Sequence, residues 1–172
     1  MRISTALVSL VLIAGFGNTA LATDSIKVGN LTISQAWVRA SVPGQTNGAG
    51  YLTITNTSDK DDKLSSASST AAGKVELHEV ITEGGNAKMR EAGSVVVPAN
   101  GSVTFAPGGY HIMFLQLVTG FKPDTAVPVT LKFEQAGEVA LAFEVKPANY
   151  NPDGNSGHQM HGGHDQMSGM KH

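Results

Sequence analysis

Apolar and polar side chains alternate in short runs along most of this chain, and clusters of Gly, Asn, Asp and Pro separate the runs. Successive side chains on a strand point to opposite faces, so this two-residue period predicts half-buried β-strands. In Val75-Glu76-Leu77-His78-Glu79, Val75 and Leu77 fall on an apolar face, and Glu76 and His78 on a wetter one that places His78 at the surface. Segments rich in Val, Ile, Thr and Phe at 26–28, 31–33, 36–40, 50–55, 62–66, 74–80, 87–91, 94–97, 102–105, 110–118, 126–133 and 139–145 are the expected strands. Long amphipathic helical patterns are missing. That many short strands at near-regular spacing imply an all-β domain, a two-sheet sandwich or Greek-key barrel. Trp37 is expected in the core, covering one end. The stretch 41–50, with Pro43, Gly44, Asn47 and Gly48, reads as a connecting loop.

The pattern changes at both ends. Arg2, an apolar run over 6–16 and Ala20-Leu21-Ala22 have the three-part organisation of a secretory signal peptide, expected to be cleaved after Ala22. The apolar run is too short to span a bilayer, and no later stretch is apolar enough to do so. From Pro147 the chain is Pro, Gly, Asn, Asp, His and Met with almost no β-branched or aromatic residue, which predicts a disordered tail over 147–172. The expected organisation is therefore a signal peptide (1–22), one domain (23–146) and a tail.

Composition removes several functions. The chain has no cysteine, which excludes zinc ribbons, iron–sulfur clusters, thiol redox motifs and cysteine-ligated blue copper. The full chain carries 12 basic and 14 acidic residues, and loss of 1–22 removes only Arg2, leaving 11 against 14, a net charge of −3. So weak a charge gives no electrostatic basis for nucleic-acid binding. No Gly-x-Ser-x-Gly elbow or His-Glu-x-x-His helix is present, and an enzyme is not expected.

The candidate chemistry lies in His78, Met89, His111 and Met113. Ten residues separate the first two, twenty-one separate Met89 from His111, and Ile112 alone separates His111 from Met113. All four side chains are neutral donors, and thioether sulfur favours Cu(I) over hard cations. Positions i and i+2 share a strand face, so His111 and Met113 project side by side. Glu83-Gly84-Gly85-Asn86 is a turn signal, and the hairpin it predicts carries Met89 back toward His78. An isolated Met in a β-domain is usually core filler. Met89, however, lies between Lys88 and Arg90, and Met113 shares its face with a histidine.

The spacing resembles, residue for residue, the copper motif of the PCuAC-type periplasmic copper chaperones. Ala36-Trp37-Val38-Arg39, Gly50-Tyr51-Leu52-Thr53-Ile54-Thr55-Asn56, Val75-Glu76-Leu77-His78, Gly109-Tyr110-His111-Ile112-Met113 and Val129-Thr130-Leu131-Lys132-Phe133 are similar too, so that the resemblance runs over about 26–145. It implies a cupredoxin-like Greek-key sandwich that holds Cu(I) through His78, Met89, His111 and Met113. It further implies delivery toward the dinuclear copper centre of cytochrome c oxidase, alongside Sco-type proteins, in the periplasm. The tail lies outside the resemblance. Its His158, Met160, His161, His164, Met167, Met170 and His172 suggest by composition an auxiliary site for Cu(II) or Cu(I). A copper-buffering or resistance protein without an acceptor, and an exported β-sandwich interaction module with incidental His and Met, are the alternative readings.

Overall fold

The structure is a computed structural model that describes residues 25–152. It has eleven strands: β1 (Ser25–Val28), β2 (Leu31–Arg39), β3 (Asn47–Asn56), β4 (Asp62–Ser68), β5 (Ala72–Glu83), β6 (Asn86–Glu91), β7 (Val95–Val97), β8 (Gly101–Phe105), β9 (His111–Leu117), β10 (Ala126–Phe133) and β11 (Gly137–Lys146). They form one mixed sheet in the order β6-β5-β9-β3-β2-β11-β10-β4-β7, with β1 added to β2 and β8 to β3. Every pairing is antiparallel except that of β2 with β11. Buried side chains from both ends of this order, among them Leu77 and Phe114 at one end and Leu64 and Val97 at the other, join one hydrophobic cluster, so the sheet wraps around a single core. No helix long and apolar enough to cross a membrane occurs among the described residues.

The expected strands at 31–33 and 36–40 are one strand, β2. Its register against β3 shifts between Ser34↔Thr53 and Trp37↔Tyr51, where Gln35 adopts a φ of 54°. A bulge of this kind adds one residue and inverts the alternation beyond it. Leu31 and Ile33 enter the core before it, and Val38 and Ala40 after it. Trp37 is consequently turned away from the main cluster; it is buried instead between Tyr51, at 4.5 Å between ring centroids, and Tyr150, edge-on at 4.9 Å.

That contact moves the end of the folded domain. Pro147 was the expected start of the tail, yet Tyr150 N–H donates to the Pro147 carbonyl at 2.9 Å and Arg39 Nη1 donates to the Ala148 carbonyl at 2.5 Å. These bonds hold a turn against Trp37. A chain ending at Val145 is therefore expected to be less stable than one ending at Pro152, by about 1–2 kcal/mol for one lost aromatic contact and its covered area, measurable by urea unfolding. The tail ligand candidates from His158 to His172, and the expected signal peptide, lie outside the described residues.

The expected loop over 41–50 also ends early. Asn47 to Gly50 already pair with Leu115 to Ile112 of β9. Glycine is tolerated in this strand because aromatic rings occupy the space of a side chain. A Cβ on Gly48 would lie 2.7 Å from a Phe121 ring carbon, and one on Gly50 would lie 2.9 Å from Phe114 and 3.1 Å from Val38. Gly50→Ala is accordingly expected to destabilise the domain by about 1–3 kcal/mol through overpacking, read as a lowered denaturation midpoint with an unchanged slope.

Candidate metal centre

Strand β5 lies between β6 and β9, and the register of these pairs decides what meets on their faces. Across β5 and β9, His78 faces His111 and Glu76 faces Met113. Leu77, Ile112 and Phe114, at the alternate positions, point into the core. The two histidines and Met113 therefore share the opposite side of the sheet. The β5–β6 hairpin turns through Gly84 and Gly85, at φ 58° and 81°, the two successive positive values that a tight two-residue turn requires. Its register puts Met89 opposite Val80, two residues beyond the His78↔Glu91 pair and so on the same face as His78. Surface ion pairs Arg90–Glu79 and Lys88–Glu83 brace the hairpin.

All four sequence-selected residues thus come to one side of β6-β5-β9. Met89, His111 and Met113 line an open cavity of about 510 Å³, with Val80, Gly108, Tyr51 and the 44–49 segment completing its wall. Exposure is graded across the group: Met89 is 55% exposed and His111 5%. The side chain of His78 is only 14% exposed, so the surface position expected from the local alternation is largely covered.

Each imidazole uses one nitrogen. His78 Nε2 lies 2.7 Å from Glu76 Oε2, and His111 Nδ1 donates to the Gly109 carbonyl at 3.1 Å. The other nitrogens, His78 Nδ1 and His111 Nε2, are buried without a partner and are the two such side-chain atoms among the described residues. Burying an unsatisfied polar atom costs about 1–3 kcal/mol, which demands an explanation at two facing residues. The rings lie 5.7 Å apart, centroid to centroid. Two histidines held by one nitrogen each, with the second left bare, are arranged as metal-ligating histidines are.

The surrounding charges preserve this state. Hydrogen bonds from Lys74 and then from His78 hold the Glu76 carboxyl below the usual carboxylate range, and its bond to Glu76 raises Lys74. Glu76 is thus an anionic acceptor beside Nε2, and a hydrogen bond donated to it by Nε2–H leaves the lone pair on Nδ1. A group whose folded-state value is lowered adds stability above the ordinary carboxylate range and loses it as pH falls through the lowered value. Glu76→Gln is therefore expected to lower the neutral plateau of the metal-free protein's stability–pH curve and to flatten its acid limb, so that variant and wild type converge in acid, as followed by thermal unfolding at stepped pH. Burial pushes the Tyr51 phenol up, against the opposing influence of Arg39, so at neutral pH it lines the cavity as a neutral group. No set of three or more His, Cys, Asp or Glu side chains is gathered to hold a metal among the described residues. The donors available here are two imidazole nitrogens and two thioethers.

Glu76, placed by the alternation on the face of His78 but given no role there, and the Gly109 carbonyl are the two groups beyond the four ligand candidates that the structure adds. The signal for Glu76 was present, because it stands two residues before His78 on the same strand face, the spacing that paired His111 with Met113. The Gly109 carbonyl is a backbone group with no residue-type signature.

The fold is that of an all-β domain of the PCuAC type, with no helix among the described residues. A solved structure titled "Copper-bound PCuAC domain from PmoF2" is 28% identical, with a TM-score of 0.62 over 73% of this chain and 99% of that one. The solution structure of "CuI-DR1885" from Deinococcus radiodurans is 30% identical, with a TM-score of 0.56 over 71% of this chain and 80% of that one. The chain belongs to the family described as "Putative lipoprotein LpqE-like", which matches residues 31–145. A relative in Leifsonia xyli subsp. xyli, named "Putative lipoprotein Lxx21020", is 33% identical over 72% of this chain and 74% of its own length.

Proposed function

We propose that this protein is an exported copper chaperone that holds Cu(I) between His78 Nδ1, His111 Nε2 and the sulfurs of Met89 and Met113. The observation that carries the reading is the pair of buried, partnerless imidazole nitrogens on facing residues, with two thioethers on the same side of the sheet. Neutral nitrogen and thioether donors favour a soft monovalent ion over hard cations. The two similar solved structures carry copper in their titles, one of them as CuI. Copper is cargo here, and the gradient of exposure gives its release a direction. Met89 is open to solvent while His111 is enclosed, so an acceptor's ligand displaces Met89 first and His111 last. A site enclosed on all sides would forbid such stepwise exchange.

The acceptor in this reading is the dinuclear copper centre of cytochrome c oxidase, reached directly or through Sco-type proteins. Export is supported by the pattern of residues 1–22 and by the lipoprotein names of the relatives. The tail acts as a second, weaker site for Cu(II) or Cu(I), using His158, Met160, His161, His164, Met167, Met170 and His172. Its root supports that role. Tyr150 packs on Trp37 of β2, and only β3 separates β2 from β9, a lateral distance of about 10 Å at about 4.8 Å per strand. The stretch from Tyr150 to His158 can reach about 27 Å at about 3.4 Å per residue, so tethered tail ligands raise the local copper concentration beside the core site.

A transfer assay tests the chaperone reading. The Cu(I)-loaded protein is mixed with the metal-free copper domain of an oxidase and the two are separated and assayed for metal. Copper on the oxidase domain is expected; copper retained by this protein, at an affinity that permits release, would instead make it a buffering protein.

A further inference from the structure

Glu76 is nearly covered and both of its carboxylate oxygens are engaged. Oε1 pairs with the Lys74 ammonium, and Oε2 lies 2.7 Å from His78 Nε2. In the β5–β9 register it stands directly across from Met113, two pairs along from His78↔His111 with Leu77↔Ile112 between. It therefore borders His78 and Met113, two of the four proposed ligands, without being one of them.

We propose that Glu76 is the positioning residue of this centre, holding His78 in the orientation and tautomer that present the Nδ1 lone pair to copper; the inference rests on the copper reading above. Three consequences of the geometry support the role. A half-turn of the ring about Cβ–Cγ exchanges Nδ1 with Cδ2 and carries Nε2 away from Oε2, so the Glu76 bond opposes the flip that would turn Nδ1 out of the site. A proton held on Nε2 leaves Nδ1 as the only free lone pair of the ring. An anionic acceptor on the distal nitrogen also makes the ligating nitrogen a stronger donor.

Lys74 completes the arrangement. By occupying Oε1 it withholds Glu76 from the metal, where a carboxylate oxygen would favour harder ions than Cu(I). His111 obtains its orientation from the Gly109 carbonyl, a backbone group that substitution cannot remove. Glu76 is thus the orienting group of the pair that a side-chain change can test.

The test is a double-mutant cycle on the full chain, with Cu(I) affinity measured by competition with a chromogenic Cu(I) chelator, combined with ¹⁵N spectra of the histidine rings in the metal-free protein. Glu76→Ala is expected to weaken Cu(I) binding about 10–100-fold, the usual effect of removing such an outer carboxylate. Glu76→Gln, whose amide oxygen still accepts from Nε2–H, is expected to recover most of that loss. In the His78→Ala background, Glu76→Ala should add nothing. The His78 ring should carry its proton on Nε2 in the wild type and divide between tautomers in Glu76→Ala. Wild-type affinity in Glu76→Ala, or an equal loss with and without His78, would overturn the inference. So would a wild-type His78 protonated on Nδ1, a result that needs no variant to fold. If His78→Ala itself binds Cu(I) as tightly as wild type, the copper reading falls and this inference with it. That result is distinguishable from failure of the inference alone, in which His78→Ala is weak and Glu76→Ala is not.

Discussion

Replacing both Met89 and Met113 by Ala is expected to lower Cu(I) affinity by more than about a hundredfold, beyond the 10–100-fold typical of outer-shell changes, and to leave fold stability almost untouched. The asymmetry follows from where the two side chains lie. Met89 is on an exposed hairpin and 55% open to solvent, and Met113 faces Ala49 and Glu76 on the side of the sheet away from the core cluster. Truncating them opens no cavity between core side chains, so the unfolding free energy should shift by no more than about 1 kcal/mol. The metal preference should change in kind as well. With the thioethers gone, two imidazoles remain, and these serve Cu(II) or Zn²⁺ as readily as Cu(I). Chelator competition with Cu(I), run beside urea unfolding of the metal-free variant, checks both halves. Wild-type affinity in the double variant would remove the thioethers from the site.

The parts of this architecture that were legible are those decided by neighbours in sequence. Alternation located the strands, and Gly84-Gly85 placed the hairpin that returns Met89 beside β5. The i, i+2 spacing put His111 and Met113 on one face. What escaped depends on distant partners. The bulge at Gln35 leaves no local mark beyond a change of parity, and it is that change which turns Trp37, though buried, away from the main cluster. Asn47 to Gly50 read as loop because glycine weakens an isolated strand, whereas Phe114 and Phe121 fill the space those glycines leave. Pro147 to Tyr150 read as tail because their composition cannot bury much by itself, and they are ordered by Trp37 and Arg39 more than a hundred residues earlier. The free nitrogens of the two histidines were equally hidden, since they follow from which partner each ring finds.

Acidification is expected to release copper from the core site steeply. Two imidazoles must be neutral to ligate, while thioethers do not titrate, so each copper bound displaces up to two protons once the free histidines are protonated. The apparent affinity should then fall by up to about a hundredfold per pH unit in that range and stay level above it. His78→Ala and His111→Ala should each reduce the limiting slope from two protons to one. The checking measurement is Cu(I) competition at stepped pH with a chelator whose own protonation is known. An affinity level from neutral pH well into acid would contradict imidazole ligation.

The central claim is that one Cu(I) is held jointly by two imidazoles and two thioethers in the folded domain. X-ray absorption at the copper edge, on Cu(I)-loaded protein ending at Pro152 so that Tyr150 is kept and the tail ligands are absent, tests it most directly. One copper per chain, in the monovalent state, with both nitrogen and sulfur scatterers in its first shell, is the predicted result. A first shell without sulfur, or a chain ending at Pro152 that retains no copper, would contradict the account.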